Sequence, residues 1–203
     1  LTTLPFLPKE FLYEVIPDRI IAGTYLAAAA MTRGQIVLYG IRPNHLQSVT
    51  DKFREMGCQI VEEHNRLILS CSKELRGVNI ITEPYPGFPT DMQSQMLTLL
   101  CTCKEPSFIK ENLFESRFKI VDELRKMGAH IEVKDCTAYI GGYCPLHGAN
   151  LLAKDLRGGA ALVLAGLIAE GTTIVEHIEH IERGYQSIVT DLAKLGANIR
   201  ERM

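Results

Sequence analysis

The chain has 203 residues, of which 46% are hydrophobic and 23% charged, and a formal net charge of −2. Such a chain can bury a sizeable core without disulfides or metals. Its charge balance leaves no footprint for nucleic acid or an anionic membrane, and no apolar run reaches the ~18–20 residues of a membrane span.

No basic segment followed by an apolar stretch opens the sequence, so no signal peptide is read. A first residue of Leu rather than Met predicts a piece of a longer polypeptide. Cys58, Cys71, Cys101, Cys103, Cys136 and Cys144 follow no scaffold-like spacing, which predicts reduced thiols in a cytoplasm. Cys101-x-Cys103 reads as two small core residues, because no second Cys/His pair accompanies it.

The main organising feature is a repeat. Gly57, Gly128 and Gly196 each end an amphipathic segment, and they lie 71 and 68 residues apart. A period that long and regular predicts three copies of one supersecondary unit around a shared core. The first copy is expected to run from a strand at Tyr13–Ile16 through Pro17-Asp18-Arg19 into a buried helix over Gly23–Met31, which holds four consecutive alanines. A strand at Gly34–Tyr39, an amphipathic helix over Pro43–Met56 with Leu46, Val49, Phe53 and Met56 on one face, and a hairpin of Gln59–Glu62 with Leu67–Cys71 follow.

In the second copy a strand at Val78–Thr82 leads into a loop with three prolines, rigid and extended. Thr90-Asp91 then starts a buried helix over Met92–Cys103. Ser107–Lys110 is the next strand, Phe118–Met127 the amphipathic helix, and Ile131–Val133 with Thr137–Ile140 the hairpin. The third copy is predicted as a strand at Asn150–Ala153, a buried helix over Ala160–Ala169, a strand at Thr172–His177, and an amphipathic helix from Glu182-Arg183 to Leu195. Ile199 begins a last strand. The His177-Ile178-Glu179-His180 run reads as the end of a strand rather than a metal site, since two histidines without a third ligand are weak evidence.

These elements predict one α/β domain over residues 1–203, with repeats at about 13–73, 77–142 and 149–203. The expected architecture is an inside-out α/β barrel of three repeated βαβαββ units around a pseudo-threefold axis. Its third unit is incomplete, and the closing strands are expected from sequence before Leu1. Three buried helices would then bring their N-termini to one end, each with about half a positive charge and free N–H groups, which makes an anion site. Arg19, Arg117, Arg157 and Arg183 are all placed at helix starts, where a cation opposes the helix dipole. Arginines set against that field point to an anion between them. The plainer alternatives are ion pairs of Arg183 with Glu182, of Arg157 with Asp155, and of Arg117 with Glu115 or Asp122, with Asp91 as a helix cap only.

The segments Phe88-Pro89-Thr90-Asp91-Met92-Gln93, Phe114-Glu115-Ser116-Arg117-Phe118, Asp155-Leu156-Arg157, Ala169-Glu170-Gly171-Thr172-Thr173 and Arg183-Gly184-Tyr185 carry a resemblance. In order and spacing, from about Tyr13 to Met203, they resemble one of the two domains of the enolpyruvyl transferase family, in its UDP-N-acetylglucosamine 1-carboxyvinyltransferase branch. The resemblance implies transfer of the enolpyruvyl group of phosphoenolpyruvate to the 3-hydroxyl of UDP-N-acetylglucosamine, with release of phosphate, at the first committed step of peptidoglycan synthesis. It implies Asp91 and Arg183 as catalytic residues, with Asp91 accepting the hydroxyl proton. Arg117, Arg157 and Arg183 would hold phosphoenolpyruvate, and Asp155 would orient Arg157 or relay a proton. Thr90 and the backbone near Leu113 would meet the sugar nucleotide, and Arg19 would lie near the domain junction.

No metal or organic cofactor is implied. The partner is a second domain of the same enzyme, which carries a cysteine loop acting as general acid, and the isolated chain is expected to be inactive. Ile21 departs from an acidic residue frequent in the family. The sibling 5-enolpyruvylshikimate-3-phosphate synthase shares the repeat, and a non-catalytic module binding an anion or a UDP-sugar is the alternative from another class.

Overall fold

The computed structural model describes residues 12–202. Asp18 opens helix α1 (Arg19–Met31), its Oδ1 accepting from the N–H groups of Ile20 and Ile21 at 2.7 and 3.2 Å. A helix start leaves such donors without partners, and a short carboxylate supplies one. Strand β1 (Gln35–Tyr39) follows, then a 3₁₀ turn at Pro43–His45, helix α2 (Gln47–Glu55), and the hairpin β2 (Gln59–Glu62) and β3 (Arg66–Ser70). The expected apolar stripe Leu46, Val49, Phe53 and Met56 is buried. The three strands form an antiparallel sheet in the order β1-β3-β2.

The second copy holds β4 (Ile80–Ile81), a 3₁₀ turn at Thr90–Met92, α3 (Gln93–Leu100), β5 (Ser107–Lys110), α4 (Val121–Lys126), and the hairpin β6 (Ile131–Lys134) and β7 (Thr137–Ile140). Its sheet runs β4-β5-β7-β6, with β4 parallel to β5 and the rest antiparallel. The third copy holds β8 (Asn150–Leu152), α5 (Leu156–Gly166), β9 (Ile174–Glu176) parallel to β8, a single turn α6 (Glu179–Glu182), and α7 (Ile188–Lys194). The same ladder is thus complete in the second copy. It lacks its leading strand in the first and its hairpin in the third, among the described residues.

One local device recurs in all three. After α2, α4 and α7, Gly57, Gly128 and Gly196 take φ values of +102°, +98° and +100°. The next residue's N–H then closes on a carbonyl five residues back, in Cys58 to Phe53, Ala129 to Leu124 and Ala197 to Leu192. This left-handed stop satisfies carbonyls at a helix end and is open to glycine at little cost.

Helices α1, α3 and α5 pack against one another in the core, with the sheets outside. They approach closely. A Cβ on Gly23 of α1 would lie 2.7 Å from Met92 Sδ at the start of α3, and one on Gly159 of α5 would lie 2.7 Å from Ile181 Cγ1 of α6. The C-terminal ends of the three helices also meet, around a cavity lined by Met31, Thr102 and Ile168 together with Tyr143 and Cys144.

Five expectations are corrected. Tyr13–Ile16 forms no strand; the segment is exposed and has no strand partner among the described residues, and alternation alone supplies no hydrogen bonds. Ile199 likewise begins no strand. The third buried helix starts at Leu156 rather than Ala160, because Asp155 caps it and carries Arg157-Gly158-Gly159 into its first turn. Glu182–Leu195 is not one helix: α6 ends with Arg183 as its C-cap, and α7 begins only at Ile188. Gly184 breaks the run, pressed so closely on Leu156 that a Cβ would meet its Cδ2 at 2.9 Å. His177–His180 is a turn entering α6 rather than a strand end, and His177 Nδ1 lies 3.0 Å from Glu179 Oε1.

Candidate active site

The turn Thr90–Met92 delivers Asp91 to the N-terminal end of α3, where two arginines share its carboxylate. Arg117 Nη2 donates to Oδ1 at 2.6 Å, and Arg157 Nη2 donates to Oδ2 at 3.4 Å. The three come from separate places: the start of α3, the loop before α4, and the first turn of α5. Asp91 and Arg117 are half-buried, and the Arg157 side chain is 14% exposed. Two guanidinium groups converging on one carboxylate in a half-open site make a locus of positive charge suited to an anion.

Arg117 has further supports. Its Nε donates to Thr90 Oγ1 at 3.2 Å, and its guanidinium carbon lies 5.5 Å from the centre of the Phe114 ring. Thr90 Oγ1 in turn donates to Glu111 Oε2 at 2.8 Å. Glu111 is buried, at 3% exposure, and its Oε1 accepts from Thr82 Oγ1 and from the N–H groups of Leu113 and Phe114 at 2.8, 2.9 and 3.2 Å. The loop Asn112–Arg117 rims an open groove that continues to Val133 and Asp135.

Arg157 leans on Tyr185. Its guanidinium carbon sits 5.7 Å from the ring centre, and Nη1 donates to the phenol oxygen at 3.4 Å. That oxygen is 2.7 Å from Thr24 Oγ1 of α1, and Gln95 Nε2 of α3 donates to the same Thr24 oxygen at 3.0 Å. Thr24 commits its own proton to the Ile20 carbonyl at 2.8 Å, so Tyr185 is the donor to Thr24. Nearby, burial and a hydrogen bond to Asp191 push the Tyr25 phenol well above its usual range, which keeps it a donor.

The remaining expected residues divide. Arg19 is half-buried at the first position of α1, with its guanidinium carbon 4.8 Å from the Tyr85 ring centre. Asp155 does not hold Arg157: its Oδ1 accepts from Gly158 N at 2.7 Å and caps α5, so Asp91 and Tyr185 orient that arginine. The Leu113 N–H is committed to Glu111, and no backbone hydrogen bond to the Leu113 carbonyl forms among the described residues. Arg183 is exposed, with no ion pair or side-chain hydrogen bond among the described residues. Of the four arginines, Arg19 and Arg157 stand at helix starts, Arg117 stands in a loop, and Arg183 ends a helix. None of the ion pairs weighed from sequence forms: Arg117 passes over Glu115 and Asp122, Arg157 over Asp155, and Arg183 over Glu182.

Sequence reasoning missed Glu111, Thr82, Thr24 and Gln95, and it gave Tyr185 no role. The available signal was polarity in the wrong place, because Thr24 and Gln95 are polar side chains fully buried in α1 and α3. Among the described residues no group of three or more His, Cys, Asp or Glu is arranged to hold a metal ion.

The profile of the family described as EPSP synthase (3-phosphoshikimate 1-carboxyvinyltransferase) matches residues 7–192. The chain is 51% identical over 187 residues to the UDP-N-acetylglucosamine 1-carboxyvinyltransferase of Desulfofundulus thermocisternus, covering 92% of this chain and 77% of that protein. To the protein of the same name from Clostridium botulinum it is 49% identical over 191 residues, covering 94% of this chain and 46% of the relative. Among solved structures, the enolpyruvyl transferase NikO from Streptomyces tendae matches with a TM-score of 0.84 at 32% identity, over 92% of this chain and 44% of that one. EPSP synthase from Acinetobacter baumannii matches at 18% identity with a TM-score of 0.74, over 93% of this chain and 48% of that one, a likeness of fold alone. Apart from the Desulfofundulus protein, the chain spans about half the length or less of the curated relatives it matches.

Proposed function

Since the chain belongs to the EPSP synthase (3-phosphoshikimate 1-carboxyvinyltransferase) family, we propose that it forms one half of an enolpyruvyl transferase site. The reaction is transfer of the enolpyruvyl group from phosphoenolpyruvate to the 3-hydroxyl of UDP-N-acetylglucosamine, with release of phosphate. The observation that carries this reading is Asp91 held between Arg117 and Arg157 at 2.6 and 3.4 Å. The curated relatives named for the sugar-nucleotide reaction favour that acceptor over shikimate 3-phosphate.

The geometry supports the following roles. Phosphoenolpyruvate is a polyanion, and its carboxylate and phosphate compete with Asp91 for the guanidinium groups of Arg117 and Arg157. Its arrival releases the Asp91 carboxylate to accept the proton of the sugar hydroxyl as that oxygen bonds to C2 of phosphoenolpyruvate. A proton delivered to C3 completes a tetrahedral adduct. Loss of a C3 proton and cleavage of the C2–O bond to phosphate then give the enolpyruvyl ether and inorganic phosphate. The arginines stabilise charge on the adduct as it forms and collapses. Arg183, exposed and unpaired among the described residues, is free to close on the same anion. Thr90 and the Leu113 carbonyl face the sugar nucleotide, and Arg19 lies toward a second domain that supplies the acid for C3.

Six free thiols suit a reducing compartment, and the described residues hold no helix long and apolar enough to cross a membrane. Both fit a place in the cytoplasm at the entry to peptidoglycan synthesis. The test is phosphate release by the full-length gene product with UDP-N-acetylglucosamine and phosphoenolpyruvate, with shikimate 3-phosphate as the control acceptor and the isolated 203-residue chain expected to be inactive. Release with the sugar nucleotide alone supports the reading. Release with shikimate 3-phosphate alone, or from the isolated chain, refutes it.

A further inference from the structure

Arg117 is held by two contacts besides Asp91: the Thr90 hydroxyl at its Nε and the Phe114 ring beside its guanidinium. Both lead to one buried carboxylate. Glu111 Oε2 accepts the Thr90 proton, and Oε1 accepts the N–H groups of Leu113 and Phe114, which fixes the loop carrying the ring. We infer that Glu111 is a positioning residue that aims Arg117 at the enolpyruvyl donor by fixing the direction of the Thr90 hydroxyl and the place of Phe114. This rests on the reading that Arg117 binds the donor's anionic groups.

The argument turns on proton direction. A threonine hydroxyl has one proton and two lone pairs. With the Thr90 proton drawn to Glu111, a lone pair is left for Arg117 Nε–H. Thr82 repeats the arrangement on the other side, donating to Glu111 Oε1 at 2.8 Å and accepting from Asn112 N at 2.9 Å. Glu111 therefore orients two hydroxyls by accepting from both. Among the described residues no cation pairs with it, so its burial is costly, and four donors on two oxygens offset that cost. An amide in its place can still accept from Leu113 and Phe114 through its oxygen, but its nitrogen donates to Thr90. The Thr90 proton is then free to turn into the path of Arg117 Nε–H.

The test is hydrogen exchange at Arg117 Nε–H in the ¹⁵N-labelled chain, for the wild type, Glu111→Gln, Thr90→Val and the double variant. Each single substitution is expected to speed exchange about tenfold, the scale of one hydrogen bond to a charged group. The double variant should exchange no faster than the single ones, because they break one chain of contacts. Leu113 and Phe114 amides should stay protected in Glu111→Gln, which separates lost aim from lost fold. If that variant does not fold, Glu111→Asp, too short to span Thr90 and both amides, is expected to show the same loss. Arg117 protection unchanged in the Glu111 variants, or effects that add with Thr90→Val, would overturn the inference.

A kinetic arm separates the two readings. In the full-length product Glu111→Gln should raise KM for phosphoenolpyruvate about tenfold and change kcat less. Absent turnover in the wild type, with exchange responding as expected, removes the enolpyruvyl reading and leaves Glu111 as the residue that aims Arg117. Normal turnover with no exchange response does the reverse.

Discussion

Asp91 Oδ1 receives Arg117 Nη2 at 2.6 Å while Arg157 reaches the other oxygen from a different helix, so one carboxylate ties the start of α3 to the start of α5. The pair is half-exposed, where ion pairs contribute about 0–1 kcal/mol. Asp91→Asn should therefore leave the melting temperature almost unchanged. Loss of a positioned proton acceptor should lower turnover by roughly 10²–10⁴-fold. Thermal melts beside phosphate release by the full-length product check both halves. Normal turnover in a variant that melts normally would remove Asp91 from the chemistry.

Among the described residues, Tyr185 is the side chain that hydrogen-bonds both to the arginine site and to the buried hydroxyl of α1. Tyr185→Phe keeps the ring beside Arg157 and removes only the oxygen, leaving Thr24 Oγ1 with Gln95 as its remaining donor. Loss of one buried hydrogen bond costs about 0.5–1.5 kcal/mol. In a chain of this size each kcal/mol is about 2–4 °C of melting temperature. Thr24→Val alone should cost a similar amount, and the double variant less than the two together. Strict additivity would mean that the hydroxyls do not act as a unit.

The repeat was legible because it is written in short-range chemistry: a helix closed by a left-handed glycine stop, three times, with a strand after the first two. Gly57, Gly128 and Gly196 mark those stops, with positive φ in each case. The buried helices were legible from their lack of a polar face. Tyr13–Ile16 and Ile199 misled because strand periodicity does not reveal whether a neighbour is present to pair with. The expected helix began at Ala160, yet Asp155 caps α5 and carries Gly158-Gly159 into its first turn, where a Cβ on Gly159 would lie 2.7 Å from Ile181 Cγ1. Asp155 looked like a partner for Arg157 because the two are close in sequence, and capping α5 takes its carboxylate instead. Glu111 was invisible because its four donors come from three stretches of chain, which only the fold brings together.

Cysteine reactivity should follow burial. Burial pushes the Cys101 and Cys103 thiols up to about 12, and burial beside Cys71 raises Cys58 as well. At pH 8 a thiol near 12 is thiolate to about one part in ten thousand, and thiolate is the reactive form. Cys136 is exposed, and Cys144 is partly exposed with its thiol donating to the Gly128 carbonyl at 2.7 Å. Alkylation of the native chain, read by peptide mass, should mark Cys136 first and Cys144 second, with the other four modified only on unfolding. Early labelling at Cys101 or Cys103 would show that the ends of the central helices open in the native state.

The contact between the second and third copies should be sensitive to acid at Glu123. This α4 carboxylate is 2% exposed; it accepts from Lys126 Nζ at 2.6 Å and from Leu152 N at 3.1 Å, and Lys154 Nζ is 3.1 Å from its other oxygen. Burial pushes its carboxyl up, but the two lysines and the Leu152 N–H outweigh burial and hold it below the usual carboxylate range. A depressed carboxyl stabilises the fold above its unfolded value, about 4.3, and loses that contribution as pH falls through the folded value. Glu123→Gln should therefore cost about 1.5–3 kcal/mol at pH 7, the range for hydrogen bonds to a charged group. Melts of the wild type and the variant from pH 7 down to pH 3 should show a constant gap to about pH 5 that closes below about 4.3. A gap that persists unchanged in acid would assign the loss to shape rather than to the charge that joins α4 to β8.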